Sequence, residues 1–362
     1  MRILIIKTSA IGDILQSFVV VEFIKRHFPR AQIHWAVLEQ NAEAVLAHRL
    51  IDQVLVFARK KLFSFLFSLR KKPSFDVVFD LQGNLRSALI AWFAKSRQKV
   101  GFSWKFIPEK VALLSANRHY AVDTEKNIRQ QYLALVQNYF SLFEPIGIFP
   151  ESSLKLTDLE EQKLAKLEKQ HLEKIRILVA PFARWPSKCL EPLLLTGFLK
   201  KIQEKYDPFF FFLQSSEKEK KQSLALARSF NGSALVLEKL SLPLLQHFMG
   251  RMDLVVAMDS GPLHLALATR TPSVGFFGPS RSSIFGGKDN LLSFEGSCPL
   301  FNFKLYPQLL YKKRCPLLRS CQGRCIDAHH VEDFFRGFEA FWQKVCPLNL
   351  DSANKKPADL KN

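Results

Sequence analysis

Residues 1–13 read Met1-Arg2-Ile3-Leu4-Ile5-Ile6-Lys7-Thr8-Ser9-Ala10-Ile11-Gly12-Asp13. A short run of branched apolar residues ends at a charge, passes through a turn of small residues and opens a segment of helical period. A strand covered on both faces reads as an unbroken apolar run, and its crossover helix reads with a period near 3.6, so this is the first strand–turn–helix of a parallel sheet. The alternation continues outward from there. Strands are expected over residues 3–6, 33–38, 53–57, 76–81 and 99–102, with helices over 14–27, ahead of Phe28-Pro29, and over 85–94. The pattern breaks between about 145 and 172, at Pro145, Gly147 and Pro150 and then in a charged stretch, 159–174, that suits a solvated helix. A second series follows, with strands over 175–181, 209–213, 234–237, 254–258 and 273–277 and helices over 193–206, 217–230, 243–249 and 263–268.

Two such series in tandem predict an α/β protein of two doubly wound domains facing each other, with ligands held at the carboxyl ends of the strands. The expected units are residues 1–150, residues 172–330, an amphipathic helix over 331–346 and a polar, disordered tail over 351–362. A chain of 362 residues is too long for one ordinary core, and 48% hydrophobic residues with 33 Phe exclude a disordered protein. The 52 Lys plus Arg against 33 Asp plus Glu leave +19, a field that favours polyanions of any kind. Six Cys, at 189, 298, 315, 321, 325 and 346, make no disulfide framework in a chain this long. With no secretory leader and no apolar run near the ~20 residues of a bilayer span, the expectation is a cytoplasmic protein, at most peripheral to a membrane.

Three strand-to-helix turns carry candidate chemistry. The first, Lys7 to Asp13, lacks the three spaced glycines of a dinucleotide fingerprint and the Gly-Lys-Ser/Thr of a phosphate loop. Asp13 there is either a helix N-cap or first-turn acid favoured by the helix dipole, or a base facing the cleft. The second, Arg184-Trp185-Pro186-Ser187-Lys188, sets a hydroxyl and an ammonium before a helix expected near Leu190, a combination suited to phosphate. The third is Asp259-Ser260-Gly261-Pro262-Leu263-His264, which reads either as a second anion-binding helix start or as an Asp or Ser cap with Pro262 in the first turn and His264 in the core.

In this order these segments resemble glycosyltransferase family 9, the ADP-heptose:lipopolysaccharide heptosyltransferases of the GT-B fold. The resemblance rests on Lys7-Thr8-Ser9 with Gly12-Asp13, on Asp80-Leu81-Gln82-Gly83-Asn84-Leu85-Arg86-Ser87, on Trp185-Pro186-Ser187-Lys188, and on Asp259 to His264 followed by Thr271-Pro272 through Gly278-Pro279. It spans residues 1 to about 280 and implies the following roles. Asp13 is the general base, with Ser9 and Gly12 beside the acceptor. Ser187 and Lys188 bind the donor diphosphate, Lys188 stabilising the leaving group. Asp259, Ser260, Gly261 and His264 line the donor, and Glu217, with Glu219 as the alternative, holds the ribose. The implied reaction is metal-independent and inverting, with no cofactor. Its donor is ADP-heptose, its acceptor Kdo-lipid A or the heptosylated core, and its place the inner membrane surface. Phe182 and Cys189 depart from the family pattern, Phe182 standing where Gly is common, which bears on the sugar more than on the reaction type.

Residues 59–118 hold 13 basic and 3 acidic residues. Within them, Arg59-Lys60-Lys61 and Arg70-Lys71-Lys72 bracket a Phe/Leu segment that is either a crossover helix or an element lying at an anionic lipid interface. Arg59, Lys60, Lys61, Arg86 and Arg118 are the candidates to meet the polyanionic acceptor. Cys315, Cys321, Cys325 and His329 are zinc-ligand types gathered in one segment, but their spacing lacks the usual knuckle, and no metal is expected. The competing readings are a GT-B glycosyltransferase with another nucleotide-sugar donor or acceptor and, from a different class, a basic nucleic-acid-binding protein; no nucleic-acid motif is present, so nucleic acid is not expected as a partner. A monomer is expected.

Overall fold

The computed structural model describes residues 1–346 except 105, 108, 145–153, 288–289, 297–325 and 328. Two six-stranded, all-parallel sheets account for both halves. The first contains β1 (Arg2–Ile6), β2 (Gln32–Leu38), β3 (Gln53–Phe57), β4 (Val77–Asp80), β5 (Gln98–Phe102) and β6 (Arg118–Tyr120) in the order β3-β2-β1-β4-β5-β6. The second contains β7 (Arg176–Ala180), β8 (Phe209–Phe212), β9 (Ala234–Val236), β10 (Leu254–Met258), β11 (Ser273–Phe277) and β12 (Leu291–Glu295) in the order β12-β11-β10-β7-β8-β9. Both orders are the same doubly wound topology, reversing direction between the first and fourth strand, where crossover loops diverge and leave a crevice.

Helices α1 (Ile11–Ser17), α2 (Val19–His27), α3 (Ala42–Leu46), α4 (Leu62–Lys71), α5 (Leu85–Phe93) and α6 (Ile128–Phe140) cover the first sheet. Around the second lie α7 (Asp158–Leu167), α8 (Pro192–Tyr206), α9 (Glu217–Ala227), α10 (Leu242–Met249), α11 (Gly261–Ala268), α12 (Ser282–Phe285) and α13 (Val331–Val345). The single helix expected over 14–27 is two, parted at Phe18. The Ser17 hydroxyl donates to the Ile14 carbonyl at 2.8 Å, a back-bond of the kind that bends helices. Strands β6 and β12 escaped the sequence reading because each needs only one neighbour and has no fully apolar run. The amphipathic helix expected near the end is α13, whose Phe334, Phe338 and Trp342, at spacing i, i+4, i+8, are buried against Phe198 of α8 and its neighbours. Each such side chain contributes roughly 2–3 kcal/mol. The 351–362 tail lies outside the described residues. Among the described residues no helix is long and apolar enough to cross a membrane.

One hydrophobic cluster runs through both halves, joining Ile5, Ile14 and Val45 to Leu178, Leu245 and Leu265. Polar ties reinforce it. Glu43 accepts from the Leu242 amide at 2.9 Å, Asn127 donates to the Gly286 carbonyl at 2.8 Å, and Arg281 pairs with Glu125 at 3.0 Å.

Candidate functional site

The turns after β1 and β4 flank the reversal point of the first sheet, and the turn after β4 supports the one after β1. Asp80, at the end of β4, is buried; its carboxylate accepts from the Gln82 and Gly83 amides, each at 2.9 Å, and from the Ser87 hydroxyl at 2.8 Å. Burial pushes its carboxyl above the ordinary value despite those bonds. The turn so fixed aims Gln82 back at the first loop, where its Oε1 accepts from the amides of Thr8 and Ser9, each at 3.0 Å. Ser9 thus contributes through its backbone. Lys7 is buried, donates to the Leu81 carbonyl at 3.3 Å, stacks on the Tyr132 ring at 4.8 Å and stands 4.0 Å from Asp13. Asp13, in the first turn of α1, keeps a solvent-reachable carboxylate beside this buried ammonium. Ala10 is the N-cap position of α1 and no side chain caps it, so the N-cap reading of Asp13 fails and its first-turn position stands.

The turns after β7 and β10 flank the reversal point of the second sheet. Ser187 and Lys188 lie in a short 3-10 turn, Pro186–Lys188, and not beside a helix start: α8 begins only at Pro192, with Glu191 at its N-cap position making no side-chain cap. The expectation of a helix dipole at Lys188 is therefore corrected, and its chemistry is that of the ammonium. Lys188 Nζ lies 2.5 Å from Asp259 Oδ2, and Ser280 Oγ donates to the same oxygen. His264 Nε2 sits 3.4 Å from Asp259 Oδ1. Burial alone would raise the Asp259 carboxyl, but Lys188 and His264 hold it well below the usual carboxylate range. The Ser and Asp cap readings of α11 also fail. Ser260 makes no side-chain cap and donates instead to the Met258 carbonyl at 3.1 Å, so the first amides of α11 keep their donor capacity for a ligand. His264 is buried with Nδ1 lacking a hydrogen-bond partner among the described residues. Cys189, one of the departures, closes the loop by accepting from the Ala183 amide at 3.3 Å.

These two half-sites touch. A methyl placed on Gly12 would sit 2.6 Å from His264 Cδ2, and one on Gly261 would sit 3.0 Å from Ile11 Cγ2. The missing side chains let the starts of α1 and α11 meet across the two halves, which puts Asp13 of one turn alongside the turn that holds Asp259, Ser260, Gly261 and His264.

The remaining candidates divide. Arg59, Lys60 and Lys61 form a 3-10 turn at the carboxyl end of β3, and with Leu38, Glu39, Gln40, Phe57 and Ala58 they line a depression of about 300 Å³. Partial burial of Arg86, at the start of α5, and then the nearby Arg59 charge hold its guanidinium below its usual value. Arg118 opens β6 at the opposite sheet edge, paired with Val100 in mid-β5, and does not join that cluster. Glu219 accepts from the Ser215 amide at 2.7 Å and hydroxyl at 2.5 Å, holding the start of α9, which leaves Glu217 as the exposed carboxylate of that turn. The sequence reading missed Gln82, Lys7 and Ser280; Gln82 stood inside a quoted motif, and Ser280 immediately follows another. No three His, Cys, Asp or Glu are grouped as metal ligands among the described residues, and Cys298, Cys315, Cys321 and Cys325 lie outside them.

Comparison with known proteins adds the following. Residues 63–293 match the model of glycosyltransferase family 9 (heptosyltransferase). Lipopolysaccharide heptosyltransferase 1 of Campylobacter coli is 30% identical over 301 residues, covering 80% of this chain and 88% of that protein. The Escherichia coli heptosyltransferase WaaC, solved with ADP and with ADP-2-deoxy-2-fluoro heptose, superposes with TM-scores of 0.70 and 0.68 at 20% and 19% identity, covering 87% of this chain and all of that one. A glycosyl transferase family 9 protein from Veillonella parvula superposes at 0.75 with 15% identity, covering 95% of this chain and 97% of that one. These likenesses bear out the expected GT-B fold of two facing Rossmann-like domains.

Proposed function

The chain belongs to glycosyltransferase family 9, and from that premise we propose that it transfers heptose from ADP-heptose to the Kdo/heptose inner core of lipopolysaccharide, inverting the anomeric centre. The observation that carries the reading is the meeting of the α1 and α11 starts, Gly12 against His264, which sets a carboxylate turn against a cation-and-amide turn. The 30% identical relative is a lipopolysaccharide heptosyltransferase 1, and a structural relative accepts an ADP-heptose analogue, which supports the donor and acceptor classes.

The chemistry follows from the groups. The acceptor hydroxyl attacks the anomeric carbon from the face opposite the diphosphate. Asp13 accepts its proton as the new C–O bond forms, and the bond to the β-phosphate oxygen breaks. Charge gathers on that phosphate, where a positioned ammonium and uncapped amides stabilise it. Lys188 has three N–H donors and directs two at Asp259, one to Oδ2 at 2.5 Å and one to the backbone carbonyl at 3.4 Å. Asp259, held by Ser280 and His264 as well, therefore positions Lys188 while the remaining donor serves the diphosphate. Ser187 stands beside it in the same turn, Glu217 is the ribose ligand, and Arg59, Lys60, Lys61 and Arg86 receive the anionic acceptor. The enzyme works as a monomer at the cytoplasmic face of the inner membrane, peripherally bound.

A coupled ADP-release assay with ADP-heptose and Kdo-lipid A, with and without a first heptose, tests this. Turnover with ADP-heptose, together with a thermal shift by ADP-heptose that UDP- or GDP-sugars do not give, is the expected result. Release only from another nucleotide sugar would sink the assignment.

A further inference from the structure

The excess charge of residues 59–118 is gathered with an unusual set of exposed rings. Helix α4 buries Leu66 and Leu69 against the sheet and turns Phe63 and Phe67, one helical turn apart, to solvent at 70% and 62% exposure. Helix α5, packed beside it, turns Leu85 and Trp92 outward, and the Phe67 and Phe93 rings meet edge-on at 6.0 Å between the two helices. The 3-10 turn Lys110–Ser115, packed on α5, adds Leu114 at 88% exposure. Single exposed apolar side chains are ordinary, but a run across three adjacent elements marks a contact surface.

The charge around it is predominantly positive. Arg59, Lys60 and Lys61 stand at the start of α4, and Arg70 and Lys71 at its end. Lys99 donates to the Trp92 carbonyl at 3.0 Å and feels the Arg70 charge. Of the three acids in residues 59–118, Asp80 is buried and Asp76 accepts from the Arg2 amide at the far end of β4. Glu109 alone lies at this face, accepting from the Leu85 amide.

We propose that the outer face of α4, α5 and the 110–115 turn docks the enzyme on a bilayer of anionic phospholipid, seating its aromatic side chains at headgroup depth. Rings flanked by cations suit that interface, where each suffices only in part and the two together hold. A second copy of the chain does not suit it, since a two-fold contact would press the same cations together. The helices run with their starts at the carboxyl ends of β3 and β4, so the Arg59–Arg86 cluster stands at the edge of the docked face nearest the cleft. A lipid-anchored acceptor then enters without leaving its membrane. That last clause rests on the function proposed above; the docking itself does not.

The test is sedimentation of the full chain with vesicles of phosphatidylcholine alone and of phosphatidylcholine with phosphatidylglycerol. Two variants accompany it, Phe63→Ser/Phe67→Ser/Trp92→Ser and Arg70→Gln/Lys71→Gln, each checked by its melting curve. Expected are binding to the anionic vesicles only, about 25-fold weaker binding on loss of the two cations at about fivefold each, and greater loss in the apolar variant. Turnover of a delipidated acceptor should be unchanged in both. Wild-type chain that stays in the supernatant with anionic vesicles, or variants that sediment as wild type does, would overturn the proposal. So would a wild-type dimer that the apolar variant dissolves, which would assign the face to a second copy. Vesicle binding without any heptosyl transfer would leave the docking surface standing and remove the proposed function.

Discussion

Lys188→Met offers the sharpest physical test of the donor half-site. Asp259 is 3% exposed and owes its charge to the ammonium 2.5 Å away, with Ser280 and His264 as lesser partners. Removing one member of a buried ion pair costs about 3–5 kcal/mol; the Lys188 side chain is 22% exposed, which points to the lower end. At about 1.3 °C per kcal/mol, from ~2.1 cal/mol/K per residue over a chain of 362 residues melting as one unit, the melting temperature at neutral pH should fall by roughly 4 °C. The pH dependence carries a sign. In the wild type the Asp259 carboxyl is depressed, so its contribution is fully present above the ordinary value of 3.8 and is lost only as pH falls through the lower folded value. Without Lys188, burial dominates and lifts the carboxyl, so charging it destabilises the fold at neutral pH and protonation relieves that as pH falls through the raised value. The melting gap between variant and wild type should therefore be widest near about pH 8 and close toward about pH 5. Lys188→Met/Asp259→Asn, with both charges gone, should melt well above Lys188→Met at neutral pH. Scanning calorimetry across that range decides. A gap independent of pH, or a double variant no more stable than the single, would refute the reasoning.

Three other outcomes are expected. Asp13→Ala should lower turnover at least ~100-fold while leaving donor affinity, read by calorimetric titration of ADP, nearly unchanged. Gly12→Ala, whose methyl would meet His264 Cδ2 at 2.6 Å, should cost about 1–3 kcal/mol in denaturant melts and depress turnover, because the α1 and α11 starts must part. Glu219→Ala should cost about 1 kcal/mol of stability through its lost loop bonds, whereas Glu217→Ala should leave the melt alone and raise the donor KM; equal stability losses in the two would reverse their assigned roles.

Most of the architecture was legible because buried parallel strands announce themselves as apolar runs. The β3, β10 and β11 bounds coincide with the expected ones, and others differ by a residue or two. What escaped was decided away from the local pattern. Arg118–Tyr120 is a strand only because β5 offers it an edge, and Ser17 splits a continuous helical period through one hydroxyl. In the site, Asp13, Lys188, Asp259 and His264 stood on quoted turns, but their partners did not follow from spacing. The Lys188–Asp259 pair joins residues 71 apart, and the Gly12–His264 contact depends on how two domains face each other. The helix expected beside Lys188 starts later because Cys189 and Pro192 hold the intervening loop out of helical geometry.

The apolar cluster shared by both halves bears on how donor choice could be re-engineered. Exchanging a whole half with that of a relative would split this cluster along a seam in which Ile14, Val45, Leu245 and Leu265 interlock, leaving each chimera with mismatched halves of a single interior. Specificity should instead move by transplanting the loop after β7, none of whose side chains belongs to the shared cluster. For the same reason the protein should melt in one step, neither half surviving the loss of the other.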